Sequence, residues 1–154
     1  MLTINVTMEG DKVILNGLRE LADDLPDAVE RGLARAAVGI HRAAFDWLSG
    51  PGAKASNIAA GGYPVPIRTG HLRRMLDWLK PGASKPGMSA GPMEAIVYNS
   101  AEYAKVIHEG TGSSAKFGAR PFITDGFNRF NQGNKIARII DKEIELEIKR
   151  KGLG

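Results

Sequence analysis

The chain has 154 residues, 43% of them hydrophobic, which suits one domain with a proper core and is too apolar for wholesale disorder. No apolar run approaches the roughly 20 residues of a membrane helix, and the absence of cysteine removes disulfides, thiolate nucleophiles and cysteine metal sites and makes a cytoplasmic origin the default. Twenty-one basic and 17 acidic residues leave a net charge of +4, a mild excess that tolerates nearby nucleic acid without demanding it.

The opening MLTINVTMEGDK lacks a basic segment followed by a continuous apolar run and does not read as a signal peptide. Leu2, Ile4, Val6 and Met8 alternate with polar residues, as in a strand with one buried face. Glu9-Gly10-Asp11 signals a turn, after which residues 12–15 extend or pair with that strand. Asn16 is placed to cap a short helix to Asp23, with Leu18, Leu21 and Leu25 on one face. Pro26 fits the first turn of a second helix. From Val29 to Leu48, apolar residues recur at spacings of three and four, marking the clearest amphipathic helix in the chain, about 22 residues long. Ser49-Gly50-Pro51-Gly52 ends it.

Residues 49–67 are rich in Gly, Ala, Ser and Pro and read as a mobile loop that orders against a partner. Thr69 is a suitable N-cap for a helix carrying Leu72, Met75, Leu76 and Leu79, which Pro81-Gly82 would stop. A second loose segment, 82–92, reads as extended or as a hairpin, and Met93 to Asn99 as a strand. Ala101 to Glu109 reads as a short helix ended by Gly110, followed by a loop over 110–119. Pro121 opens the last long segment, whose apolar groups, Phe122 to Phe130 and Ile136 to Ile148, are separated by Gly133. The expected fold is a single α+β domain over 1–154, with a small antiparallel sheet packed against a long amphipathic helix, long loops and a C-terminal helix.

The stretch from Glu102 to Phe122, EYAKVIHEGTGSSAKFGARPF, gathers His, Glu, Gly and Arg, yet it fails each chemical template. Gly112 stands where HExxH needs its second histidine, and the three histidines have no ligand spacing. Lys116 is followed by Phe117 rather than Ser or Thr, and no strand leads directly into the loop, so neither a phosphate loop nor a dinucleotide fingerprint is present. There is no GxSxG. No catalytic residue, metal ligand or cofactor is therefore assigned. His108 reads as a helix C-terminal residue close to the last carbonyls. Arg68, Arg73, Arg74, Lys116 and Arg120, with Lys54, Lys80 and Lys85 near them in sequence, would form one positive face if the loops converge, able to follow phosphates without reading bases.

Three segments in order, RTGHLRRML (68–76), YNSAEYAKVIHEGT (98–111) and ARPF (119–122), followed by a C-terminal helix, resemble the tail-completion or neck proteins of long-tailed bacteriophages. That group includes relatives of the lambda minor tail protein Z and the Mu-like virion-morphogenesis proteins. The resemblance implies a non-enzymatic virion part, assembled in the host cytoplasm, that joins head to tail. It would form a ring, expected to be a hexamer, around the DNA passage. Partners would be other copies of itself, head-connector and tail-tube proteins, and DNA by non-specific contact, with no membrane. In that setting Arg68, Arg73, Arg74, Lys116 and Arg120 are candidate subunit-contact or lumen residues. Arg120 is expected to be structural, pairing with Glu102 or Glu109 or reaching a neighbour. Tyr103, Pro121 and Phe122 are candidate loop anchors. The alternative is a nucleic-acid-binding accessory protein that uses the same basic face.

Overall fold

A computed structural model describes residues 11–50, 65, 70–112 and 118–152, with side chains from residue 17 onward. The expected strand at 2–8, most of the stretch 49–67, and Lys54, Arg68, Thr69 and Lys116 lie outside the described residues. The protein is α+β. Helix α1 (Asp11–Trp47) is followed by α2 (His71–Arg74), strands β1 (Leu76–Leu79), β2 (Ser84–Lys85), β3 (Met88–Ser89) and β4 (Ile96–Asn99), then α3 (Ala104–Glu109), α4 (Phe122–Phe130) and α5 (Lys135–Arg150).

Two expectations need correction. The chain from Asp11 to Trp47 is one helix of 37 residues with Pro26 inside it, not a strand extension, a short helix and a second helix. An interior proline lacks one backbone donor and crowds the preceding turn, at a cost of about 3 kcal/mol. Here α5 splints both sides of it. Lys151, just past α5, pairs with Asp24 (2.6 Å) and Glu20 (3.6 Å) before the proline, and Glu147 pairs with Arg31 (2.7 Å) after it. The second correction concerns Leu72 to Leu79. Only His71–Arg74 is helical, and Leu76–Leu79 is a strand. Leu72, Leu76 and Leu79 are all buried, a spacing that both a helix and a helix-to-strand turn can satisfy. Pairing with a non-local partner decides it. β1 runs antiparallel to β4, with Leu76 opposite Asn99 and Leu79 opposite Ile96. Segment 82–92 contains the small hairpin β2–β3, with Ser84 opposite Ser89.

The two-stranded sheet β1–β4 lies against α1. His41 on α1 has Nε2 3.2 Å from the Leu76 carbonyl, which only accepts, so that nitrogen carries the proton. The core gathers Ala44, Leu48, Val65, Leu72, Leu76, Ala101, Ala104 and Phe122, with Trp47 and Ile123 packed at its edge. Val65 closes on the end of α1, donating to the Trp47 carbonyl (2.7 Å) and accepting from the Gly50 amide (3.1 Å).

Helices α4 and α5 pack along α1 at positions where the sequence supplies no side chain. A methyl group at Gly126 on α4 would meet the Ala44 backbone nitrogen at 2.6 Å, and one at Gly32 would meet Ile140 Cα of α5 at 2.9 Å. The break between α4 and α5 falls at Gly133 and Asn134, both left-handed, with φ of 64° and 57°. Further along α5, Glu143 and Glu147 are buried, and arginines balance them. Glu143 pairs with Arg31 and Arg35, and Glu147 pairs with Arg31 and Arg150. Burial alone would lower the Arg31 pKa, but its hydrogen bonds to Glu147 and Glu143 outweigh that and raise it.

Candidate functional site

The three segments behind the resemblance fold into one module. Helix α2 and the first residue of β1, Leu76, come from the first, the end of β4 (Tyr98 and Asn99) and α3 from the second, and the start of α4 from the third. Asn99 stitches the first two. Its side-chain amide donates to the Leu72 carbonyl (2.6 Å), and its side-chain oxygen accepts from the Ala101 amide (3.0 Å). The Ser100 amide donates to the Met75 carbonyl (3.1 Å). Phe122 from the third segment is fully buried against Leu72, Leu76, Ala101 and Ala104 from the other two.

Helix α3 stops by a double C-terminal bond. Gly110 is left-handed (φ 66°), its amide bonds the Ile107 carbonyl (3.3 Å), and the Thr111 amide bonds the Val106 carbonyl (3.1 Å). Gly110 also lets the returning chain cross it, since a side chain there would lie 2.3 Å from the Ala119 nitrogen. The Arg120 amide then donates to the Ile107 carbonyl (3.2 Å). The two ends of the 110–119 loop are thus tied to the last turn of α3, and Pro121 and Phe122 begin α4 directly after the tie.

Most of the described basic residues of the expected positive face have separate engagements. Arg73 stacks over the Phe45 ring at 4.9 Å, and Arg74 is exposed on α2. Lys80 lines an open groove of about 310 Å³ with Asp27, Glu30, Arg31, Ala34 and Pro81. Lys85 is paired with Asp77 and bonded to the Tyr98 hydroxyl (3.1 Å), which itself donates to Asp77 (3.2 Å). The Lys85 hydrogen bond, followed by the Trp78 amide, holds the Asp77 carboxyl below its usual range, and Asp77 in turn raises the Lys85 ammonium. Arg120 is buried at 8% exposure, and that burial lowers its guanidinium pKa, so it does not share a surface with Arg74.

His108 contacts α4 rather than carbonyls of its own helix. Its Nε2 is 3.4 Å from the Thr124 hydroxyl, and its ring meets Phe122 edge-on at 5.3 Å. Tyr103 is 41% exposed, with its ring 5.9 Å from that of His71. Among the described residues no three His, Asp or Glu side chains are placed to hold a metal ion, and no helix is long and apolar enough to cross a membrane. Sequence reasoning missed the buried Glu143 and Glu147, whose counter-ions lie more than a hundred residues away on α1. It also missed the Asp77–Lys85–Tyr98 cluster, which depends on the β1–β4 register. Comparison of the chain with family models, with characterised proteins and with solved structures finds no match.

Proposed function

We propose that this chain is a structural virion protein of a long-tailed phage or prophage. In this reading it acts at the head–tail junction as one subunit of a ring around the DNA passage, with sixfold order expected from tail symmetry. Its neighbours are then head-connector and tail-tube proteins, and DNA passes with non-specific contact only.

The observation that supports this reading most is the convergence of the three resembling segments. The first two are well apart in sequence and the third follows the second closely, and Leu72, Leu76, Ala101, Ala104 and Phe122 make one core with Asn99 bonding across it. A motif triplet that also packs as one unit is better explained as an inherited module than as three chance matches. The described ends of the 110–119 stretch are tied to the last turn of α3, which suits a contact surface supported by a rigid frame. The stacking of Arg73 on Phe45, the pairing of Lys85 with Asp77 and the burial of Arg120 weigh against the accessory DNA-binding alternative, which needs a shared cationic surface.

Electron microscopy of particles assembled without the protein tests the proposal. Separate filled heads and free tails are expected, and normally joined virions would refute it.

A further inference from the structure

One solvent-facing strip of α1 is polarised by charge. Glu20, Asp23, Asp27, Arg31, Arg35, Val38, Arg42 and Phe45 follow one another at spacings of three or four, so they share a face of the helix over about 38 Å. The first half of the strip is acidic. The second half is basic and apolar, with Val38 46% and Phe45 36% exposed and Arg73 stacked on the Phe45 ring. Within the strip, Glu20 already pairs with Lys151, and Arg31 and Arg35 pair with glutamates of α5, just as Asp24 beside it pairs with Lys151 and Asp46 with Arg129. By contrast, Asp23, Asp27 and Arg42 make no ion pair or side-chain hydrogen bond with the described residues. Glu30, on the rim of the groove with Lys80 and Pro81, makes none either.

A strip that is negative in one half and positive in the other is complementary to itself when reversed. We infer that two copies of this chain pair through antiparallel α1 helices, with the two-fold axis beside Arg31 and Ala34 at the open groove. In that register Asp23 faces the second copy's Arg42, Glu30 faces its Arg35, and Asp27 lies over its Val38. Glu20 reaches the Arg73 that covers Phe45. Each pairing occurs twice, as in any isologous contact. Turning one helix round sets like charges opposite each other, which fixes the orientation. A contact this narrow, held largely by exposed ion pairs, forms a weak dimer that salt dissolves. The dimer concerns the free chain in solution and is independent of the head–tail reading: virions can fail to require the protein while the dimer stands.

Sedimentation velocity of the full chain tests the pairing at low salt (about 50 mM) and high salt (about 500 mM). A dimer at low salt that becomes a monomer at high salt is expected. Asp23→Arg and Arg42→Asp should each weaken the dimer about tenfold or more, because two attractive pairs become repulsive. The combined D23R/R42D chain should regain it. Both positions lie on a helix surface without partners among the described residues, so circular dichroism should show unchanged helix content in every variant. A monomer at both salts overturns the proposal, as does an assembly whose mass ignores salt or the single substitutions, or a combined variant no better than either single one.

Discussion

Gly126→Ala is a sharp test of how α4 sits on α1. The added methyl would lie 2.6 Å from the Ala44 backbone nitrogen, 2.7 Å from its Cα and 2.8 Å from its Cβ, where ordinary contact begins at 3.4 Å. Two of these atoms are backbone, so no rotamer change relieves the clash, and the helices must part by about 0.8 Å near their crossing. Overpacking of this kind costs about 1–3 kcal/mol, and the rigid neighbour puts it at the upper end. Against this, alanine is a better helix former than glycine by about 1 kcal/mol. A net loss of about 2 kcal/mol remains, equivalent to a fall in Tm of about 4–8 °C for a chain of this size. Thermal unfolding followed by circular dichroism reads it directly. Gly39→Ala is the internal comparison, since there the three nearest atoms to the methyl all belong to the Phe130 ring, on a side chain at the partly exposed edge of the packing. It should lose less. A Gly126→Ala chain that melts at or above the wild-type temperature would refute the close helix crossing.

Phe122→Ala should be far more damaging, at about 3–5 kcal/mol, because Phe122 is fully buried where all three segments meet; urea unfolding checks it. Glu147→Gln should cost about 1–3 kcal/mol in the same assay, the lower range for a buried pair because Arg31 remains 41% exposed and keeps Glu143. The Asp77 carboxyl is held below its unfolded value by Lys85, so its contribution is present above that value and is lost as pH falls through the folded pKa. Amides flanking the β2–β3 hairpin, such as Ala90 bonded to the Ala83 carbonyl at 2.9 Å, should therefore gain the least exchange protection from Lys85 in strong acid. Lys85→Met should give fast exchange there at neutral pH, measured by hydrogen exchange after correction for the intrinsic rate.

The elements that local rules govern were legible in the sequence. Gly110 stops α3 and Gly133 lies in the link between α4 and α5, both in a conformation that other residues adopt at a cost, where the two breaks were expected. The second half of α1 and the strand ending at Asn99 were also readable from spacing. What escaped depends on distant partners. Pro26 reads locally as a helix start, and only the α5 charges on both sides explain an unbroken α1. The run from Leu72 to Leu79 has apolar spacing that suits a helix, and its strand exists because residues 96–99 lie alongside. Two glutamates of α5 are buried against Arg31 and Arg35, which no local pattern encodes. The basic face was an inference about loop convergence, and sequence offers no rule for the burial of Arg120.

The bonds between Val65, Trp47 and Gly50 separate two kinds of sequence. Gly50 and Val65 are held together by backbone hydrogen bonds that need no particular side chain. Lengthening a closed loop costs only about 0.6 kcal/mol per doubling. The sequence between can therefore lengthen, shorten or change composition at small cost to stability, and so can evolve on a different clock from the core on either side of it.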